Sequence, residues 1–417
     1  MRTQNLKYYS GGESDGADAE YIYVNYMVDP LISGPNLKIK EYTPKSKEEN
    51  PVSYKIITNK VNQDPDFAHY SSIVFAAPEN TLVSFSLPAG ITVDEFRGKY
   101  PEITDDIYIN ECIEGTMLSL FYDSRIKRWE LASKGAVGAH YWYYRTQYPS
   151  SNGTSSEGAY GAQQRTFRQM FLDAFRAGEG EDLDSLPFLE YFPKEYSYTF
   201  VLRHPENHIV QMVENPVVYL VAVYHICDNR AIYIPPIIYE EWDCFFNIRG
   251  LLEFPQSYDN TEYDDYMTQH ENPYFMGYML TNIRTGERCH IENASYAYLR
   301  ELRSNHPNMQ YLFFELRGSG RIHEFLHYFP QYTGLFTQFH VQYNKFVTHI
   351  HGLYLTNYIQ RTGAKCPAEY FPLVYKLHHE VFIPSMAADA KLVMRKPVVD
   401  DFLSRLSPGA LIHYLSV

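Results

Sequence analysis

The sequence predicts an α+β protein: an antiparallel-sheet region with packed helices, followed by a helical region that begins near Tyr296. Three observations carry that prediction. Short apolar runs separated by turn residues fill most of the chain, which is the pattern of hairpin-linked strands. Apolar residues at helical spacing take over beyond residue 296. The 39 Tyr and 25 Phe among 417 residues suit a strand-rich core. Hydrophobic residues make up 45% and charged residues 21%, so the chain can bury a sizeable core divided among two or three domains. The expected division is an N-terminal extension over 1–50, partly flexible, a sheet domain over 51–295 and a helical domain over 296–417.

Residues 10–20 are rich in Gly, Asp and Glu and read as a flexible acidic segment. Residues 72–76 and 81–85 flank Pro78-Glu79-Asn80 and read as a hairpin. Residues 106–137 read as two or three strands with a turn near Asp123-Ser124, and the Ser- and Gly-rich residues 149–161 as an exposed loop. Residues 166–177 place Phe167, Met170, Phe171, Ala174 and Phe175 on one helical face, closed by Gly178. Strands are expected at 196–213, 217–226 and 231–234, then a helix at 240–252 and an acidic, Tyr-rich loop at 255–273. Residues 274–291 read as a hairpin turning at Arg284-Thr285-Gly286. Beyond them Phe336, Phe339, Tyr343, Phe346, Val347, Ile350 and Tyr354 recur at helical spacing, with Gly363 as the stop. Shorter helices are expected near 368–380 and 398–406.

Formal net charge is −14. An acidic chain with no concentrated basic run disfavours non-specific nucleic-acid binding, although a small basic groove stays open. The five cysteines, Cys112, Cys227, Cys244, Cys289 and Cys366, are widely spaced with no CxxC pair, so neither a zinc ribbon nor a disulfide scaffold is indicated. The start, Met1-Arg2-Thr3-Gln4-Asn5, lacks an apolar signal core, and no run approaches the roughly 18 apolar residues needed to span a bilayer. The expectation is an intracellular, cytoplasmic protein without membrane contact, in which the sequons at Asn152 and Asn293 are chance matches.

Six short segments occur in a fixed order. Cys112-Ile113-Glu114-Gly115-Thr116 is followed by Trp129 to Gly135, which ends in Ser133-Lys134-Gly135. Next come Phe200-Val201 with Pro205, Asn207, Ile209 and Val210, and then the apolar run at 217–223. Gly277-Tyr278-Met279-Leu280 and Cys289-His290-Ile291-Glu292 close the series, with Tyr296 just beyond. Over residues 71–298 this order resembles the phage-type ATP-dependent RNA ligase family, whose pattern is K-x-D-G-[ST], S-K-G, F-E-x-x-x-P-x-N-R-I-V, an apolar strand, E-G-Y-V and K-I-K with a nearby Tyr. The resemblance implies a nucleotidyltransferase module, with the helical domain after it.

The departures fall on the family's functional positions. Its lysine nucleophile, which takes AMP from ATP, corresponds to Cys112, and the Asp of the same motif to Glu114, while Gly115 is kept. Its two glutamates correspond to Val201 and Met276, and apolar side chains can neither hold a nucleoside nor place a metal. Its paired lysines correspond to His290 and Glu292, and its upstream arginine to Ser71, leaving Lys134 as the one pocket cation. Losing one member of a catalytic set costs orders of magnitude, so the resemblance implies the fold without the ligation chemistry. It implies a remnant nucleotide pocket and no cofactor. The expected role is that of a binding or structural protein with protein partners, residual nucleotide or RNA binding remaining open. The family occurs in phages and large DNA viruses, so a virus-encoded protein of the virion or viral factory is the matching expectation. One alternative is an active ligase with a rewired site. Another is a zinc peptidase built on His323-Glu324-Phe325-Leu326-His327, with a third ligand from His340, His349, His351, His378 or His379. Gly318-Ser319-Gly320 before it and Pro330 after it leave little room for the long helix such a site needs.

Overall fold

The computed structural model describes residues 4–5, 22–43, 52–60, 67–143, 165–178, 180–268, 270–360, 365–387 and 392–416. The acidic segment at 10–20, the loop at 149–161 with its sequon at Asn152, and the stop at Gly363 lie outside the described residues. The chain forms two compact units, Met1–Tyr143 with Ala162–Arg300, and Tyr144–Gly161 with Glu301–Val417.

In the first unit β1 (Gln4–Asn5) pairs with β2 (Ile22–Tyr23), and β3 (Asn25–Met27) follows. Strands β4 (Leu37–Tyr42), β5 (Ser53–Asn59), β6 (Ile73–Ala77) and β7 (Thr81–Phe85) form an antiparallel meander. Residues 22–43, grouped with the extension by the sequence, are therefore built into the sheets of this unit. After α1 (Val93–Lys99) come β8 (Ile107–Glu111), β9 (Thr116–Asp123), β10 (Arg128–Ser133) and β11 (Ala136–Val137). Helix α2 (Phe167–Ala174) leads to β12 (Tyr196–Arg203), β13 (Val217–Cys227) and β14 (Arg230–Ile234). The one-turn helices α3 (Pro236–Tyr239) and α4 (Asp243–Phe246), β15 (Leu252–Glu253), β16 (Ser257–Tyr258) and α5 (Tyr263–Met267) precede the hairpin β17 (Gly277–Asn282) and β18 (Arg288–Glu292). Helix α6 (Ala294–Arg303) follows, and the unit ends within it at Arg300.

The largest sheet runs β11-β10-β9-β12-β13-β14-β3, antiparallel throughout, with β15 added to β13 in parallel. A second sheet runs β16-β8-β17-β18. The period-2 alternation of strands places the core. Leu118 and Leu120 of β9, and Tyr198, Phe200 and Leu202 of β12, face α2, α4 and the turns around Leu183 and Leu189. From the alternate positions Phe121 packs with Tyr54, Ile56 and Val74 of the meander, and the Ser197 hydroxyl meets that of Ser84 at 3.1 Å. The second sheet has its own core, Ile107, Ile109, Leu280, Cys289 and Ile291 closed by Phe96, Tyr263 and Tyr266.

Four sequence expectations change. Strand β12 stops at Arg203, not Val213, because residues 204–211 turn aside to bond other groups. The helix expected at 240–252 is replaced by α3 and α4, since Trp242 is extended (ψ 133°) and breaks the run while Tyr239 and Phe245 anchor separately in the core. The acidic loop at 255–273 contains β16 and α5. Helix α2 ends at Ala174, and Arg176 takes a left-handed φ of 59° before Gly178 is reached. The sequon residue Asn293 is buried, its side-chain amide donating to the Asn272 and Phe275 carbonyls.

The second unit is helical: α7 (Met309–Gly318), α8 (Ile322–Tyr328), α9 (Thr333–Tyr354), α10 (Phe371–Lys376), α11 (Ile383–Ala387), α12 (Lys396–Ser404) and α13 (Pro408–Ser416). The buried face of α9 is the predicted set from Phe336 to Tyr354, and Leu312, Phe313, Leu377 and Leu403 are buried in the same unit. No helix among the described residues is long and apolar enough to cross a membrane.

Candidate functional site

Strands β8 and β9 are consecutive in the chain yet lie in different sheets, so the link Cys112-Ile113-Glu114-Gly115 crosses from one to the other. Two backbone contacts fix its ends. The Cys112 N–H donates to the Gly277 carbonyl at 2.8 Å. Gly115 lies against β12, where a Cβ would sit 2.4 Å from the Leu202 carbonyl oxygen and 2.7 Å from Val201 Cγ1. Only glycine fits there, which places Val201 beside the link, and the register Met117↔Val201 continues the contact along β9.

Glu114 is buried within this link and fully engaged. Its Oε1 accepts from the backbone N–H of Ile209 (2.7 Å) and Val210 (3.1 Å), and its Oε2 from those of Val210 (3.1 Å) and Gln211 (3.1 Å). The Tyr296 hydroxyl, on α6, donates to Oε2 at 2.6 Å. The loop that carries these amides is held elsewhere too. Asn207 Nδ2 donates to Thr116 Oγ1 at 2.7 Å, the Asn207 N–H to the His204 carbonyl at 2.9 Å, and the Glu206 N–H to His204 Nδ1 at 3.1 Å. His204 Nε2 lies 3.4 Å from Asp173 Oδ2, and Arg165 bridges Asp173 and Glu206.

Across the junction, Gly277 has φ 135°, and a Cβ there would lie 2.1 Å from the Ile291 carbonyl oxygen and 3.0 Å from His290 Nε2. The Met276 carbonyl accepts the Asn293 N–H at 3.1 Å. Glu292 grips Arg300 with both carboxylate oxygens, Oε1 to Nη1 at 2.5 Å and Oε2 to Nη2 at 3.3 Å. The Glu292 carboxylate thus neutralises a nearby cation. Part of Cys112 reaches solvent, but desolvation pushes its thiol up to about 12, only partly opposed by Arg288.

Cys112, Glu114, Gly115, Val201, Met276, His290 and Glu292 therefore gather around one inter-sheet junction. Lys134 is exposed in the β10–β11 turn, and the register Ser133↔Leu118 sets it at the same end of β9, on the side away from β12. Ser133 Oγ beside it donates to the Ala136 carbonyl and accepts from the Tyr141 hydroxyl. The sequence missed the groups that saturate Glu114. The backbone amides of 209–211 carry no side-chain signature, and their partner lies 95 to 97 positions away. It also missed Arg300, eight residues beyond Glu292 on α6.

Burial holds His204 and His290 below the ordinary histidine value, and does the same at His69, His140 and His225. A depressed folded-state pKa means that the unfolded chain binds more protons. This stability is complete above about pH 6.5 and is lost as pH falls through the folded-state values. Glu240, whose carboxyl burial pushes upward, works the other way, one group against five. The urea midpoint at about pH 5.5 should fall below that at about pH 7.5; an equal or higher midpoint contradicts this.

The zinc alternative finds no support. His323, Glu324 and His327 sit on the seven-residue α8, and Glu324 is paired with Arg321 at 2.8 Å. Among the described residues no group of three or more His, Cys, Asp or Glu could hold a metal ion. Of the suggested third ligands, His351 Nε2 bonds the Met394 carbonyl and His378 bonds the Tyr354 hydroxyl.

No protein-family model and no curated protein sequence matches the chain. The solved structures that resemble it include an RNA ligase from Naegleria gruberi. A lysine-to-alanine mutant of that ligase with ATP and Mn is 9% identical, with TM-score 0.35, covering 52% of this chain and 57% of the other. A glutamate-to-alanine mutant with AMP and Mn is 11% identical, with TM-score 0.36, covering 52% and 58%. The ligase with PPi is 12% identical, with TM-score 0.34, covering 52% and 58%. The matches thus span little more than half the length of those structures.

Proposed function

We propose that residues 51–295, together with strands β3 and β4 of the segment before them, form an RNA ligase-like nucleotidyltransferase module that does not transfer nucleotides, followed by a helical domain, and that the chain works as a binding or structural protein. The observation that carries this reading is Cys112. It stands where the resemblance places the lysine nucleophile, and its thiol, pushed up to about 12, stays protonated at neutral pH. A protonated thiol does not attack phosphorus; the thiolate is the nucleophile. Three further features support the reading. Glu114 is saturated by the protein's own donors, so it is not free to hold a ligand or a metal. Val201 and Met276 are apolar where carboxylates are expected. Glu292 ties up the Arg300 guanidinium, so that cation is not free to stabilise a triphosphate.

Protein partners fit the net charge of −14 and the exposed aromatics Trp142, Tyr191 and Phe371 better than a polyanion does. An intracellular setting, in a virus-infected cell by analogy with the organisms that carry the family, completes the reading. RNA carrying 5′-phosphate and 3′-hydroxyl ends, incubated with the chain, ATP and a divalent metal, should give no joined product above the protein-free control. Joined product that scales with the amount of chain overturns the reading.

A further inference from the structure

The backbone N–H groups of Ile209, Val210 and Gln211 are successive in the chain and all converge on one carboxylate. Consecutive main-chain N–H groups arranged in this way form a concave nest of positive potential, a structure that holds phosphates and carboxylates. Here the anion is internal. Both oxygens of Glu114 fill the nest, and the Tyr296 hydroxyl adds a fourth donor. An ionised carboxylate, acceptor only with about four lone-pair sites, matches that donor set.

The nest is also held from outside. Asn207 Nδ2 is bound to Thr116 Oγ1, the His204 carbonyl and ring receive the Asn207 and Glu206 N–H groups, and the Gln211 side-chain amide donates to the Tyr274 carbonyl. None of these four contacts uses Glu114. The donors therefore stay aimed at one point when the internal carboxylate is taken away.

We propose that residues 209–211 form an anion site for a small carboxylate or phosphate oxyanion, which Glu114 occupies in cis and closes to outside anions. The inference rests on the reading above that this junction takes no nucleotide, and it names the group that keeps a phosphate out. Glu114→Ala opens the site by removing a methylene and a carboxylate, the equivalent of one acetate ion.

The test compares the intact chain, Glu114→Ala and Glu114→Gln in sodium acetate, sodium phosphate and sodium chloride of equal ionic strength. In Glu114→Ala, acetate at ten times its dissociation constant should raise the melting temperature by on the order of 3 °C over chloride. The amide resonances of Ile209, Val210 and Gln211 should move with it. The intact chain and Glu114→Gln, whose nests are filled, should show neither effect. Phosphate acting like acetate shows that the nest accepts both oxyanions; acetate acting alone restricts the site to carboxylates and overturns the phosphate half of the proposal. If Glu114→Ala does not fold in chloride, the folded fraction recovered on dilution from urea becomes the readout. Recovery that rises with acetate supports the site, and recovery indifferent to acetate overturns it. An equal response in the intact chain or in Glu114→Gln overturns it as well. A joined RNA product would sink the preceding reading and leave the acetate result standing, so the two failures are distinct.

Discussion

Glu114→Ala should destabilise the sheet-containing unit by about 4 kcal/mol in acetate-free buffer, the largest loss expected from any single truncation at the junction. The carboxylate takes three backbone N–H groups and one hydroxyl in a buried setting. Removing it leaves all four donors without an acceptor, and each buried donor left unmet costs roughly 1–3 kcal/mol, less where water enters. The loss extends past the link itself, because the carboxylate joins three separated parts of the chain: the β8–β9 link, the loop after β12, and α6. Glu114→Gln keeps one acceptor oxygen and should lose less than Glu114→Ala. Tyr296→Phe removes a single donor and should lose about 1–2 kcal/mol. Urea denaturation of the three variants checks the order Ala, Gln, Phe. Equal midpoints across the series would mean that the carboxylate does not hold the junction together.

Gly277→Ala is the second large effect. A residue with φ 135° sits where side chains are rarely found, and the added Cβ would fall 2.1 Å from the Ile291 carbonyl oxygen, a backbone atom that cannot swing away. Strain and overlap together should cost roughly 3 kcal/mol or more. The same backbone carries the carbonyl that receives the Cys112 N–H, so the shift that relieves the clash also loosens the β8–β9 link. Far-ultraviolet circular dichroism with thermal melting measures this. A melting temperature equal to that of the intact chain contradicts the tight β17–β18 contact.

Much of the sheet region was legible in the sequence because strand periodicity is local. Leu118 and Leu120 alternate with Ser119 and Phe121 along β9, and each set faces a different layer. The hairpin of β6 and β7 was readable from Pro78-Glu79-Asn80 between two apolar runs, and α9 from seven apolar residues at helical spacing. The errors arose where tertiary contacts override a local pattern. Trp242, Phe245, Ile248 and Leu251 suit a helical face, yet the chain breaks at Trp242 so that Tyr239 and Phe245 can both reach the core. Strand β12 was drawn through Val213, where the loop instead folds back onto Glu114 and Thr116. The start of α2 had a readable sign, since Thr166 and Gln169 form a capping box.

At the junction the glycines were the readable part. Gly115 and Gly277 stand out as motif positions, and each meets a backbone oxygen at a distance no Cβ tolerates. The role of Glu114 was not readable. A carboxylate that binds main-chain N–H groups leaves no complementary side chain for the sequence to reveal. The Glu292–Arg300 pair was hidden for a different reason: its partners belong to a strand and to the following helix, with no shared periodicity.

The proposed function requires that this junction not begin nucleotidyl transfer: Cys112, its thiol pushed up by burial, stands where the resemblance places the nucleophile, and the Glu114 carboxylate is engaged. Incubation of the intact chain with α-labelled ATP or GTP and Mg²⁺ or Mn²⁺, followed by denaturing electrophoresis, tests it most directly. No label should remain on the polypeptide with either nucleotide or either metal. A labelled band that disappears on Cys112→Ala or Lys134→Ala would contradict the account.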